Sequence, residues 1–294
     1  MLKIAIVGYG NVGRAAREAV DAAPDMVLVQ VAEAPGVPIP EDLKDIWVTD
    51  LRDVRADAAL LCLPSRLCPD AAETLLSMGI NTVDAFDIHG EIPAVKARLD
   101  AVAKVHGTAA VLSAGWDPGT DSLLRALFEA MAPRGISYTD FGPGMSMGHS
   151  VVAKSKAGVK NALSMTMPVG AGVHRRMVYV ELADGAALAD VTAAIKSDPY
   201  FSHDETHVIP VADIGALQDV GHGVRMTRKG VSGDTHNQLF EFSMRINNPA
   251  LTSQVMAGCA RAAVRQTPGC YTMIELPVVD LLPGERDEWV KKLV

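Results

Sequence analysis

Long apolar runs are missing from this chain: none approaches the roughly 18 residues needed to span a bilayer, and the longest are stretches such as residues 58–64. No membrane partner is therefore expected. Cysteine is sparse too, and the four that occur, Cys62, Cys68, Cys259 and Cys270, include no CxxC pair. That excludes a disulfide scaffold and points to reduced thiols with a structural role. No cluster of Lys and Arg is long enough to track phosphates, and 27 basic against 35 acidic residues leave a net charge of −8, so nucleic acid is not an expected partner. The first eight residues run straight into a glycine-rich turn without the charged, apolar and cleavage regions of a secretory signal, so a cytoplasmic location is expected. Aromatic residues make up only 5% of the chain, yet 49% of its 294 residues are hydrophobic. This is enough for about two domains of roughly 150 residues, around a core that can carry a buried polar site. Small molecules are the expected ligands.

The first third alternates short apolar runs with amphipathic stretches: residues 3–7, a helix-like 12–23, then 26–32, 58–63, a helix-like 69–78, and 81–85. That rhythm predicts βαβ units and a parallel sheet. From about Pro118 the pattern changes. A helix-like stretch at 119–131 precedes glycine-rich loops at 142–148 and 170–172, and the alternating runs at 177–182 and 237–246 predict an antiparallel or mixed sheet with one wet face. A small-residue helix pattern at 251–265 and an apolar segment around 271–279 follow.

Gly8-Tyr9-Gly10-Asn11-Val12-Gly13 follows the first apolar strand and opens a helical pattern, the context that makes a GxGxxG string informative. Gly8 suits the tight turn, Gly10 lets backbone approach a pyrophosphate, and Gly13 lets helix and strand pack closely. The helix amino terminus then offers N–H groups to the phosphates. Glu33 closes the second strand. An acid there accepts hydrogen bonds from the ribose hydroxyls and repels a 2′-phosphate, and no Arg or Lys follows it before Lys44. This stretch favours NAD.

Three further strings narrow the reading: VDAFDIH at 83–89, SAGWDPG at 113–119 and FGPGMSMGHS at 141–150. With the glycine fingerprint they resemble the meso-diaminopimelate D-dehydrogenase family, and the likeness continues through His174-Arg175-Arg176, Asn247-Asn248-Pro249 and residues 271–277. The resemblance implies an α/β fold, a Rossmann-type doubly wound parallel sheet with an inserted α+β substrate and dimerisation domain. Residues 1–117 plus about 251–294 would form the dinucleotide domain and residues 118–250 the insertion, usually in a homodimer. It also implies an NADP-dependent enzyme that oxidises the D-centre of meso-diaminopimelate to an imine, which hydrolyses to the 2-amino-6-oxo acid and ammonia, and that runs in reverse. Asp87 and Asp117 match the family's acids near the reacting amine, where a carboxylate holds the ammonium, accepts its proton and orients the Cα–H bond. Thr166, Arg176 and His222 match positions that hold the far carboxylate, and Asn248 one that helps at that end. Trp116 and Phe141 match walls of the site, Met147 and Gly148 lie in its glycine-rich loop, and Leu63, Pro64 and Ser65 would contact the cofactor at the switch point.

The chain departs from the family pattern in three places. Ala34 and Pro35 stand where a basic pair normally grips the 2′-phosphate, which favours NAD against the family's NADP habit. Met147 replaces a usual Gln and Val151 a usual Asp, and the segment between Thr166 and Arg176 is shortened. These changes loosen the substrate more than the reaction: an NAD(P)-dependent amino acid dehydrogenase is expected, with meso-diaminopimelate or a closely related amino acid as substrate. The competing readings are a dehydrogenase of another D-amino or hydroxy acid and a non-catalytic nucleotide-binding sensor, although a sensor has no need of Asp87, Asp117 and Arg176. His203 and His207 lie four apart, but prolines bracket them, the glutamate is misplaced for HExxH and no third ligand is evident, so no metal is expected. His149 reads either as a proton donor or as a loop histidine bonded to backbone.

Overall fold

The structure is a computed structural model that describes residues 1–217 and 221–294. The first segment runs β1 (Leu2–Val7), α1 (Asn11–Asp21), β2 (Met26–Ala32), β3 (Trp47–Val48), β4 (Ala58–Leu61), α2 (Cys68–Ser77), β5 (Asn81–Asp84), α3 (Ile92–His106), β6 (Ala109–Val111) and α4 (Thr120–Met131). The middle adds β7 (Arg134–Phe141), β8 (Gly144–Met145), α5 (Met147–Lys154), β9 (Val159–Gly170), β10 (Val173–Leu182), α6 (Leu188–Lys196), β11 (Glu205–Pro210), β12 (Gly221–Ser232) and β13 (Thr235–Asn247). Then come α7 (Asn248–Ala263), β14 (Gly269–Tyr271) and α8 (Arg286–Leu293). The chain divides into two compact units, Met1–Ala126 with Pro249–Val294, and Leu127–Asn248.

In the first unit seven strands make one all-parallel sheet, ordered β14-β6-β5-β4-β1-β2-β3. The order reverses between β1 and β4, the switch point beyond whose carboxyl ends such sheets bind ligands. Both faces are covered, which is why the central strands read as unbroken apolar runs. Ile4, Ile6, Leu60 and Val83 pack on one face with Ala16 and Val20 of α1 and Met256 to Ala263 of α7. Ala5, Val7, Leu61 and Leu112 pack on the other with Leu75 of α2 and Leu99 of α3. The parallel sheet expected from the alternating pattern is present, and so is the doubly wound architecture that the resemblance implies. All four cysteines are free thiols, and burial pushes Cys62, Cys259 and Cys270 up to about 12, so they stay protonated and inert.

The second unit holds a mixed four-stranded sheet, β11-β10-β9-β8, and an antiparallel three-stranded one, β13-β12-β7. On β12, Val224, Met226 and Arg228 are buried while Arg225 and Lys229 are exposed, giving the expected dry and wet faces. α5 and α6 cover the four-stranded sheet through Ala153, Val191 and Ile195 against Val178 and Val180. One expectation needs correcting. Residues 142–148 are not loop throughout: they contain β8 and the start of α5, so His149 is helical. The glycine content there serves close backbone packing rather than an open loop, since a Cβ on Gly144 would stand 2.6 Å from the His222 Cα.

Candidate active site

At the carboxyl end of β1, Gly8 turns the chain at φ 91°, in the left-handed region that favours glycine. A Cβ on Gly13 would stand 2.0 Å from the Gly8 carbonyl oxygen, so α1 closes on the turn only with glycine there. Gly10 faces open space, with no atom within 4 Å of an added Cβ. α1 then starts at Asn11 with no side-chain cap and no acid in its first turn. Its amino-terminal N–H groups and dipole therefore suit an anion. Val12 anchors the turn, its carbonyl accepting from Ser253 Oγ at 2.8 Å. This cradle fits a dinucleotide pyrophosphate.

Glu33 reaches the same turn from the end of β2. Its Oε2 accepts from the Tyr9 N–H at 2.6 Å and its Oε1 from the Ala34 N–H at 2.7 Å. The Tyr9 ring meets Trp47 edge-on, 5.6 Å between centroids. Arg17, a cation that inspection of the residues after Glu33 overlooks because it precedes them on α1, lies 3.4 Å from the Tyr9 hydroxyl. It is already ion-paired with Asp42 at 2.5 Å and Asp21 at 3.4 Å.

Leu63, Pro64 and Ser65 follow β4 at the switch point. Ser65 Oγ donates to Asp87 Oδ1 at 2.6 Å and accepts from the Asp87 N–H at 3.2 Å, so the structure joins a residue expected on the cofactor side to one expected at the amine. Asp87 is exposed. The loops of Asp87 and Asp117 are fastened to each other by a residue not singled out from the sequence. Asp84, the last residue of β5 and fully buried, accepts at Oδ1 from the N–H groups of Phe86 at 2.9 Å and Ser113 at 3.2 Å. Burial pushes its carboxyl up to about 6, partly offset by those two N–H groups. Trp116 is buried beside Asp117, and Asp117 neighbours Asp121 and Arg125 on α4.

In the second unit Thr166 and Arg176 stand opposite each other across β9 and β10. Arg176 Nη1 donates to Thr166 Oγ1, and its Nε donates to Asp204 Oδ2 at 2.6 Å, so one edge of the fork already grips an internal carboxylate. Gly144 pairs with Thr166 and packs on the backbone of His222, which is buried on β12 rather than in a surface loop and whose Nδ1 accepts from the Gly223 N–H at 2.8 Å. Gly142, next to Phe141, donates to the Gly223 carbonyl at 2.7 Å. Thr166, Arg176, His222 and the end of β7 thus form one neighbourhood. Phe141 itself donates its N–H to His174 Nε2 at 2.8 Å. Met147 packs with Met145, Leu163 and Ile214, Gly148 lies under the Tyr200 ring, and Val151 is exposed. Asn248 begins α7. His149 bonds Ser146 Oγ at 2.8 Å, and burial and then the charge of Arg176 bring it down to about 4, so it is neutral at pH 7. His203 precedes β11 and His207 lies within it, paired with Glu205 at 2.7 Å, so the two do not share a helix face. Among the described residues no group of three or more His, Cys, Asp and Glu is placed to hold a metal ion.

Comparison with known proteins identifies the family. Residues 115–175 match the family model described as "Diaminopimelic acid dehydrogenase C-terminal domain". Meso-diaminopimelate D-dehydrogenase of Bacteroides fragilis is 57% identical over all of this chain and 99% of that protein. Among solved structures, the diaminopimelate dehydrogenase of Corynebacterium glutamicum in complex with diaminopimelate is 28% identical and superposes with a TM-score of 0.89 over 100% of this chain and 99% of that one. An engineered D-amino acid dehydrogenase bound to NADP+ is 26% identical, with a TM-score of 0.86 over 100% of this chain and 99% of its own.

Proposed function

This chain belongs to the meso-diaminopimelate D-dehydrogenase family, and from that premise we propose that it deaminates the D-centre of meso-diaminopimelate oxidatively, with NAD preferred over NADP. It is an amino acid dehydrogenase acting on a CH–NH2 group with a nicotinamide cofactor. The observation that carries the reading is the joining of the Asp87 and Asp117 loops by Asp84 at the carboxyl ends of β5 and β6, in the same sheet as the glycine turn.

Residues 8–12 would hold the pyrophosphate, Glu33 the adenosine ribose, and Leu63, Pro64 and Ser65 the nicotinamide side. When bound, the cofactor supplies the acceptor for the Cα hydrogen and its electron pair. Asp87 and Asp117 attract the substrate ammonium, fix the direction of the Cα–H bond and take the proton from nitrogen. Arg176, Thr166 and His222 hold the far carboxylate, the arginine through the edge that Asp204 leaves open. Trp116 in the first unit, and Phe141, Met147, Gly148 and Asn248 in the second, are assigned to substrate contact by the family resemblance.

The preference for NAD rests on charge. Glu33 is followed by Glu41, Asp42 and Asp45 with Lys44 alone between them, and Arg17 is held by two acids. A 2′-phosphate there meets like charge, and Arg17 is already engaged by two acids. Initial rates with meso-diaminopimelate should show kcat/KM for NAD at least about tenfold above NADP, a difference of roughly 1.4 kcal/mol; a preference for NADP overturns the cofactor assignment. Absence of turnover with both coenzymes overturns the substrate assignment and directs the search to a panel of D-amino acids. We further propose a homodimer working in the cytoplasm, to be checked by sedimentation, where a monomer would refute the assembly. No helix among the described residues is long and apolar enough to cross a membrane.

A further inference from the structure

The reaction as proposed leaves a buried acid next to Asp117 unused. Asp121 lies in the first turn of α4 with its side chain 0% exposed, one turn beyond Asp117, whose side chain is 17% exposed. Arg125, a further turn along, reaches both: Nη2 is 2.8 Å from Asp121 Oδ2 and Nη1 is 3.6 Å from Asp117 Oδ1. One cation therefore faces two carboxyl groups, of which Asp121 is sealed from water and Asp117 largely so. Asp117 Oδ1 and Asp121 Oδ1 are buried oxygens with no hydrogen-bond partner, and Asp121 Oδ2 has the Arg125 guanidinium within reach. Two ionised carboxylates in that position would repel each other and stay unsatisfied. A single proton between them removes the repulsion and supplies the missing donor.

We propose that Asp117 and Asp121 form a carboxyl pair that shares one proton at neutral pH, and that Asp121 is the positioning residue that sets when Asp117 can take a proton from the substrate. The proposal rests on the reading that Asp117 faces the reacting amine. Burial, and then the charge of Asp117, push Asp121 up to about 8, with Arg125 opposing. Asp117, from the turn before α4, and Arg125, on α4 itself, are the charged groups that act on it most. In the oxidative direction an N–H bond of the substrate ammonium breaks and an O–H bond forms on the pair, the electron pair staying on nitrogen. The Cα hydrogen leaves with its own pair to the nicotinamide cofactor. In reductive amination the proton returns to nitrogen. Oxidation thus needs the pair emptied and the reverse reaction needs it loaded, so raising the pH through the pair's titration speeds the first and slows the second.

Asp121→Asn cannot ionise and offers Asp117 a permanent amide donor. The rise of kcat/KM for oxidation with pH should move by more than about one unit in this variant, the coupling at which two sites titrate as a pair. The substrate ammonium titrates identically in both proteins, so only the difference counts, and cofactor affinity should be unchanged. Superimposable pH profiles overturn the proposal. Infrared difference spectra of the wild-type protein without substrate provide a test that needs neither variant nor turnover. A protonated-carboxyl band should be present at neutral pH, vanish on alkaline titration and be absent from Asp121→Asn. Its absence from the wild type also overturns the proposal. Because this measurement involves no substrate, a wrong substrate assignment leaves it intact, and the two failures are distinguishable.

Discussion

Asp84 shows how much one buried side chain decides at this site. Asp84→Ala leaves the Phe86 and Ser113 N–H groups unpaired, at about 1–3 kcal/mol each, and frees the two loops that carry Asp87 and Asp117. Urea unfolding should register that loss together with a fall in turnover, whereas Asp84→Asn keeps the accepting oxygen and should retain most of both. The acid has a pH signature as well. Its folded-state value of about 6 lies above the ordinary 3.8, so its contribution to stability is complete below the ordinary value and is lost as the pH rises through 6. The wild type should lose stability relative to Asp84→Asn as the pH rises from about 4 to about 6, with little further change above that; parallel stability curves would contradict the assignment. At the far end of the substrate, Arg176→Lys exchanges a planar fork for a point charge. With about 1.5–3 kcal/mol lost for a charged hydrogen bond, KM for the amino acid should rise roughly 10- to 150-fold with kcat little changed. A large fall in kcat at unchanged KM would place Arg176 elsewhere in the reaction.

Among the elements, the glycine turn and α1 separate binding from folding. Gly10 has open space where a side chain would go, so Gly10→Ala should fold normally and lose dinucleotide affinity, read as an unchanged melting temperature with weakened cofactor titration. Gly13 packs on the Gly8 carbonyl, so Gly13→Ala must push α1 off the sheet, with about 1–3 kcal/mol of overpacking cost and a lowered melting temperature. If both variants behave alike, the turn is purely structural. The hairpin between β9 and β10 illustrates a different dependence. Its register alone places Thr166 opposite Arg176, and a slip of one residue would send either side chain to the other face.

For the whole molecule, the carboxy-terminal segment completes the first unit. α7 contributes Met256, Ala257, Cys259, Ala260 and Ala263 to the core on one face of the parallel sheet, and its Arg261 forks onto Asp25 before β2, both contacts at 2.7 Å. Asp25→Ala strands a buried guanidinium and should cost about 3 kcal/mol, the lower end for breaking a buried pair because Asp25 is partly exposed; a loss under about 1 kcal/mol in urea unfolding would show the pair to be dispensable. The hydrogen bond from Arg261 holds the Asp25 carboxyl below its ordinary range, so this stabilisation is present above about pH 4 and lost in acid. Reading the chain residue by residue was enough to establish the glycine turn, the apolar runs of β1, β2 and β4, and the acidic residue that ends β2, because periodicity, turn chemistry and strand ends are local properties. By itself the sequence also marked Asp87, Asp117, Thr166 and Arg176 as chemically apt, through strings that resemble a family. It could not reveal that Asp84 ties two loops together, that Asp121 is sealed beside Asp117 under Arg125, that Asp204 takes one edge of Arg176, or that Arg17 is neutralised by Asp21 and Asp42. Those facts depend on which segments exclude water from a side chain and which charges are brought within a few ångströms, and only the tertiary packing decides either.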